Sequence, residues 1–279
     1  MGSVSKYYFF YLYETSNFLM SQDSVNRFSQ RADLYDQFRP HYPEELATFL
    51  RERLGADIHY TVAEIAAGTG IFTEQIAKWG NTVFVVEPNR SMRRLARQRL
   101  SKFENCIFLD GTAEETGLPD RSVDMVVSAQ AFHWFDLTRT KAEFRRIGRD
   151  NLLVAVIWNL RNTHTPFEQA YETLIRTYGI DYLRVSQRRM DTEEVLSFFA
   201  PESPDYRIFE HEDLLTHKEL SGRILSYSFM PDESVGVYGE MMEAITELFE
   251  LYQEGGYVQL SYQSRLFIGG IHEEYGKKI

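Results

Sequence analysis

Thr61-Val62-Ala63-Glu64-Ile65-Ala66-Ala67-Gly68-Thr69-Gly70, followed by a helix-like segment and then by Thr82-Val83-Phe84-Val85-Val86-Glu87-Pro88-Asn89, is the stretch that decides how this chain folds. The first apolar run ends in a glycine turn and the second in an acid. In order this is strand, turn, helix, strand, carboxylate, the arrangement by which an α/β sheet builds a nucleoside site. Gly68 and Gly70 have no Cβ, so they can take a positive φ and let backbone N–H groups approach a ligand closely. Glu87 falls about 17 residues beyond the turn, at the carboxyl end of the neighbouring strand, where a carboxylate can accept from both ribose hydroxyls.

Outward from this core the alternation continues. Ile71–Trp79 and Arg90–Phe103 are expected as helices, Cys106–Leu109 as a third strand, Val123–Ser128 as a fourth, Leu137–Ile147 as a helix and Leu152–Trp158 as a fifth strand. Strands alternating with helices imply a Rossmann-like, doubly wound α/β sheet, mostly parallel. Beyond Trp158 helices are expected over Pro166–Tyr178, Asp191–Phe199, His217–Phe229 and Val235–Gln253, with a strand over Tyr206–Leu215. Tyr257–Ile268 alternates Val258, Leu260 and Tyr262 against Gln259, Ser261 and Gln263, which predicts a half-exposed antiparallel strand at a sheet edge. On the N-terminal side Ser24–Phe38 has helical spacing, Arg39-Pro40-His41-Tyr42-Pro43 breaks it, and a second helix runs from Pro43 to Leu54 with Gly55 as its stop. These elements predict one domain over residues 20–279, with cap elements around 20–55 and 163–205. Residues 1–19 are expected to be a poorly ordered extension; Lys6 before Tyr7–Tyr13 resembles a truncated signal sequence, but it is too short and lacks a small-residue cleavage site.

The formal net charge of −11 over 279 residues argues against a nucleic-acid partner, because affinity for phosphate backbones rests on Lys and Arg, and leaves a small-molecule substrate as the default. The arginines of Arg90–Phe103 read as a solvated face, since Met92, Leu95, Ala96, Leu100 and Phe103 lie at helical spacing opposite them. Cys106 is the single cysteine, which removes an internal disulfide and a multi-cysteine zinc cluster; no metal is expected, and Cys106 reads as inert core in a buried strand. No apolar run approaches the ~20 residues of a membrane span. A cytoplasmic enzyme is expected, monomer or homodimer.

Glu64-x-Ala66-x-Gly68-x-Gly70 resembles motif I of the class I S-adenosylmethionine-dependent methyltransferases, an acid followed by three glycines at alternate positions, with Ala66 in place of the first. A dinucleotide fingerprint would instead place a third glycine where Thr73 stands, which counts against the alternative of a nicotinamide-dependent oxidoreductase. The resemblance implies S-adenosyl-L-methionine as cofactor. It places Glu64 near the methionyl amine, Ala66, Gly68, Thr69 and Gly70 among the cofactor-binding residues, Glu87 on the ribose and Met92 on the adenine. Gly111, Thr112 and Ala113, in Asp110-Gly111-Thr112-Ala113-Glu114, look like the segment that closes over the adenine edge, with Thr112 where the family often has aspartate. Ser128–Phe135 resembles the motif after the fourth strand in a subgroup that includes trans-aconitate and ubiquinone-pathway-like small-molecule methyltransferases, and Tyr35-x-x-Phe38-Arg39-Pro40-x-Tyr42-Pro43 is similar to that subgroup's N-terminal signature.

The chemistry implied is in-line displacement at a sulfonium methyl. The leaving thioether needs no acid, so the protein mainly positions the reactants and excludes water, which can be worth ~7 kcal/mol or more. A carboxylate acceptor needs no base; an alcohol, phenol or carbon acid needs one. His133, just beyond the fourth strand at the mouth of the cleft, is the candidate base or else a structural histidine beside Trp134. Gln130 contacts the methionyl part or satisfies a loop. Arg39 pairs with a carboxylate of cofactor or substrate, or stabilises the turn before Pro40. Tyr35 and Tyr42 line a lid or fill the core, and Trp158, Asn159 and Arg161 follow the fifth strand toward the substrate. The absence of an Asn/Asp-Pro-Pro-Tyr/Phe run after the fourth strand argues against methylation of an adenine or glutamine amino group. A catalytically silent cofactor-binding protein of the same fold is the remaining alternative.

Overall fold

The computed structural model describes residues 31–180, 182 and 192–271; the 1–19 extension, residues 24–30 of the first expected helix and Asp191 lie outside them. The described residues open with helices α1 (Ala32–Phe38) and α2 (Glu44–Leu54), then run β1 (Thr61–Ile65), α3 (Thr73–Ala77), β2 (Thr82–Val86), α4 (Arg90–Arg99), β3 (Cys106–Leu109) and β4 (Val123–Ala129). A single 3₁₀ turn, Phe132–Trp134, leads into α5 (Leu137–Ile147) and β5 (Gly148–Arg161). The remainder is α6 (Pro166–Tyr178), α7 (Thr192–Phe199), β6 (Asp205–Leu215), α8 (His217–Leu225), α9 (Tyr238–Tyr252) and β7 (Val258–Gly269).

The seven strands form one sheet in the order β3-β2-β1-β4-β5-β7-β6, with β7 antiparallel to both of its neighbours and the other pairs parallel. Chain order reverses between β1 and β4, and ligands of open α/β sheets bind outside the carboxyl ends of strands at such a switch point. The strands are apolar on both faces because helices cover both. Along β1, Val62 packs with Leu46, Leu50, Phe72 and Ile76, while Ala63 and Ile65 pack with Phe144, Ile147 and Phe198 on the other face. A third core of Tyr171, Leu220, Ile224, Met241, Ile245 and Tyr262 belongs to the cap, so α8 and α9 join α6 there.

Helix ends follow local chemistry. Asn89 caps α4, its side-chain oxygen accepting from the N–H groups of Ser91 and Met92, and α6 opens on a reciprocal capping box between Thr165 and Glu168 with Pro166 in the first turn. Three helices stop short of the ends their apolar spacing predicts, α3 at Ala77, α4 at Arg99 and α8 at Leu225, and α9 opens late, at Tyr238 instead of Val235. Beyond each end the residues still pack, as Trp79, Leu100 and Phe229 do, and periodicity reports burial whether or not the helix continues.

The expectation of β7 at the sheet edge is wrong. It lies between β5 and β6, and β6, mostly exposed along its length, is the edge. Alternation reports two unlike faces, not a missing neighbour. In β7 Leu260 and Tyr262 enter the cap core, while Gln263 and Arg265 line a cleft. Cys106 also departs from its expected burial: it is only partly covered, and desolvation pushes its thiol up to about 11, which keeps it protonated near neutral pH. Among the described residues no helix is long and apolar enough to cross a membrane, and no group of His, Cys, Asp and Glu is placed to hold a metal ion.

Candidate active site

At the carboxyl end of β1 the backbone takes three positive φ values in alternation, 56° at Ala66, 60° at Gly68 and 79° at Gly70. The two glycines serve different ends. A Cβ at Gly68 would meet nothing within 4 Å, so its bare face opens on empty space, whereas one at Gly70 would stand 3.0 Å from Leu100 Cδ1 and press on α4. The Gly68 N–H donates to Glu87 Oε2 at 2.8 Å and the Asn89 N–H to Glu87 Oε1 at 2.8 Å. Glu87, almost fully buried, thus braces the turn from the end of β2. Desolvation raises its pKa, against the downward pull of these two N–H groups.

Glu64 is the second buried carboxyl. It accepts from the Thr73 hydroxyl, and burial pushes it up to about 8, against the lowering effect of that bond. Near neutral pH and with nothing bound it is therefore mostly protonated. A cation placed against it would restore the charge, which suits an ammonium or sulfonium group.

A cleft of about 690 Å³ runs from this turn to the cap. Of the residues singled out from the sequence, Glu64, Ala66, Gly68 and Thr69 line its sheet end. Tyr35, Arg39, Gln130 and His133 line its other walls, with Tyr42, Trp158, Asn159 and Arg161. Gly70, Glu87, Met92, Gly111, Thr112 and Ala113 are not part of that lining. Met92 is buried with Ala32 and Leu95, packed against Tyr35, so α1 already covers the side of α4 where the resemblance places adenine. The Thr112 hydroxyl accepts from the Glu115 N–H at 3.2 Å, Ala113 is buried under β2, and Gly111 lies so close to the Thr116 carbonyl that a Cβ would stand 2.5 Å from it.

The far wall is held by paired groups. Gln130, at φ 62°, donates from Nε2 to the Asn159 carbonyl at 2.9 Å, and Asn159 Nδ2 donates to the His41 carbonyl at 2.9 Å, tying β4, β5 and the N-terminal segment together. His133 sits on the 3₁₀ turn with its ring 4.9 Å from that of Trp134. The Arg39 guanidinium lies between the rings of Tyr35 and Tyr227, 4.7 and 4.5 Å from their centroids, and donates to the Ser226 carbonyl at 3.3 Å. Arg161, partly buried, pairs with Glu172, Nη2 to Oε2 at 2.9 Å.

Residues 63–155 match the methyltransferase domain family. Over 245 residues, 84% of this chain and 91% of the relative, the chain is 26% identical to an uncharacterized methyltransferase-like protein of Schizosaccharomyces pombe. It is 34% identical over 141 residues to an uncharacterized methyltransferase of Mycobacterium tuberculosis, of which it spans only 55%. Its fold superposes on that of a putative type II methyltransferase from Anaeromyxobacter dehalogenans with a TM-score of 0.61, at 22% identity and covering 84% of this chain and 98% of that one. The match gives residues 63–155 a methyltransferase domain, for which S-adenosyl-L-methionine is the cofactor implied.

Three features of the cleft fit S-adenosyl-L-methionine: the open face of Gly68, the buried Thr69 hydroxyl that bonds to no group of the described residues, and a buried Glu64 that gains its charge from a cation. Sequence reasoning missed Glu172, Tyr227 and Arg265 on the substrate side. Tyr227 stands in Ser226-Tyr227-Ser228-Phe229 with no motif around it, and only the packing of α8 against the N-terminal helix brings it to the cleft. Arg265 was hidden by the reading of β7 as an edge.

Proposed function

We propose that this methyltransferase carries a methyl group in line to an oxygen or carbon of a small molecule that bears an anionic group, a carboxylate among the candidates. The supporting observation is the charge of the cleft wall opposite the turn. In a chain of net charge −11, Arg39, Arg161 and Arg265 face this one cavity, and Arg39 and Arg265 form no ion pair with a described carboxylate. Cationic walls in a low-dielectric cleft attract small anions and orient them.

In this reading Glu64, Ala66, Gly68 and Thr69 hold the methionyl end and Gly70 lets their turn pack. Glu87 takes the ribose, and Met92 with Gly111, Thr112 and Ala113 encloses the adenine. Tyr35, Arg39 and Gln130 close over the reacting groups, and His133 orients the acceptor. The cofactor supplies an activated methyl on sulfur; the chain's residues supply alignment and a dry cavity. A domain over residues 20–279 and a cytoplasmic setting are part of the proposal, the latter supported by a single, unpaired cysteine.

The test is transfer of labelled methyl from S-adenosylmethionine to a panel of small organic acids, each beside its amide. Turnover of acids over their amides is expected, and Arg265→Met should narrow the difference. Equal turnover of both, or preference for amides, refutes the anionic acceptor.

A further inference from the structure

The cap wall of the cleft carries a cluster of arginines and tyrosines centred on Tyr227, which lines the cleft together with Arg39 and Arg161. Tyr227 is 3% exposed and its ring stacks on Phe229, with centroids 5.3 Å apart and planes 9° from parallel. Its hydroxyl lies 3.1 Å from Arg161 Nη1 on β5 and 3.1 Å from the Tyr171 hydroxyl on α6. Arg39, from the segment after α1, covers its ring, and the Arg31 guanidinium donates to its carbonyl at 2.5 Å.

With Arg31 set against Asp232 at 3.9 Å, the rest of the cluster carries one positive charge more than its carboxylates offset. Glu172 on α6 pairs with Arg161, and Asp213 on β6 pairs with Arg223 of α8 at 2.9 Å. Arg39 forms no ion pair among the described residues, and nearby Tyr262 of β7 accepts from Arg223. The other two phenols stay protonated: burial raises Tyr171 well above its ordinary value and raises Tyr262 as well. Arg161 donates to the Tyr227 oxygen, and the Tyr171 and Tyr227 hydroxyls share the second bond; once Tyr227 is ionised, Tyr171 is its donor. An oxygen that accepts two such bonds and faces a surplus guanidinium is stabilised as an anion.

We propose that Tyr227, as a phenolate, is the general base that takes the proton from the acceptor during methyl transfer. This rests on the functional reading above and narrows it, because an acceptor that needs a base is a phenol, enol, hydroxyl or carbon acid, with its anionic group elsewhere. The acceptor's O–H or C–H bond breaks and its proton forms an O–H bond on Tyr227. The electron pair left on the acceptor forms the new bond to the methyl carbon, and the methyl–sulfur bond breaks with its pair going to sulfur, which becomes a neutral thioether. Tyr227 then returns the proton to solvent as product leaves. Electrostatics agree: burial alone would push the phenol up, but Arg161, then Arg39, the Tyr171 hydrogen bond and Arg223 together bring it below its ordinary value.

The deciding measurement is a near-ultraviolet pH titration of the full chain without cofactor or acceptor, comparing wild type with Tyr227→Phe. A tyrosinate band that appears below the ordinary phenol range in wild type and is missing in the variant is expected; identical titrations overturn the proposal. With a protic acceptor, Tyr227→Phe should lower the saturated rate ~10²-fold or more and erase the rise of rate with pH, while affinity for S-adenosylhomocysteine stays unchanged. An unchanged saturated rate overturns it. Should the variant fail to fold, 3-fluorotyrosine at residue 227, a weaker base, must move the midpoint of the rate profile to lower pH, and an unmoved midpoint is equally fatal. The titration needs no reaction, so its failure refutes the base even where methyl transfer succeeds; a present band with no transfer to any acceptor refutes the functional reading instead.

Discussion

The turn end of the cleft and its cap end are built on opposite principles. At the turn, backbone does most of the work: positive φ values, N–H groups and strand ends shape the space, and the two carboxyls there, Glu64 and Glu87, are each bonded within 25 residues of chain. At the cap, side chains do it, and the partners are distant, Arg39 to Ser226, Arg161 to Tyr227 and Arg31 to Tyr227. A local backbone site tolerates change in the cap around it. A network of buried charges does not, because losing one member strands the others.

The largest effect should therefore come from the cap. Arg161→Met takes from Glu172 its nearer described cation, leaving the Tyr182 hydroxyl and a longer contact to Arg176 at 3.4 Å among its described partners, and removes a donor from Tyr227. A loss of about 3 to 5 kcal/mol in urea unfolding is expected, mostly recovered in the double variant Arg161→Met, Glu172→Leu. A single-variant loss under about 1 kcal/mol would show that the cluster is solvated and not a unit.

At the turn, Gly68→Val should abolish binding, weakening S-adenosylhomocysteine ~100-fold or more in calorimetry, while the fold survives. The new side chain projects into open cleft, not into packed atoms, and its strain at φ 60° costs about 1 to 3 kcal/mol. Retained affinity in a folded variant would place the cofactor elsewhere. Next comes Glu87→Ala, expected to weaken binding by about 1.5 to 3 kcal/mol. Because Glu87 also braces Gly68 and Asn89, Glu87→Gln separates the roles: it keeps an acceptor for one N–H and should lose less. Equal losses would mean that charge on the ribose, and not the brace, carries the effect.

Glu64 gives the contrast a pH signature. Its folded pKa of about 8 lies above that of an unfolded glutamate, so the folded protein holds an extra proton between roughly pH 4.5 and 8, and stability of the free protein falls as pH rises through that window. Binding a cationic ligand at pH 7 should expel close to one proton, read as a dependence of calorimetric enthalpy on buffer ionisation. Glu64→Gln should flatten both. Proton uptake on binding would mean that Glu64 does not meet the cation.

The same contrast explains what could be read from sequence. β3, α5 and α6 coincide with their expected bounds, and the glycine turn and Glu87 stand out because backbone geometry demands particular residues at fixed spacing. Tyr227, Glu172 and Arg265 left no such trace, since any buried tyrosine or arginine looks the same until the chain brings its partners together. β7 failed for a related reason: its polar face lines a cavity, which a one-dimensional pattern cannot distinguish from solvent.

The smallest test asks whether the turn is as purely backbone as the comparison holds. Ala66 takes φ 56°, where the family's motif has glycine, and alanine there costs about 1 kcal/mol or slightly more from Cβ against its own carbonyl. Ala66→Gly relieves that strain but adds freedom to the unfolded chain, so the two effects partly cancel. A net gain of about 0.5 kcal/mol in unfolding free energy is expected, with affinity for S-adenosylhomocysteine equal or slightly higher because the cleft deepens at that point. A loss of stability would show that the Ala66 methyl packs to advantage, and that even at the turn side-chain contacts outweigh the conformation of the backbone.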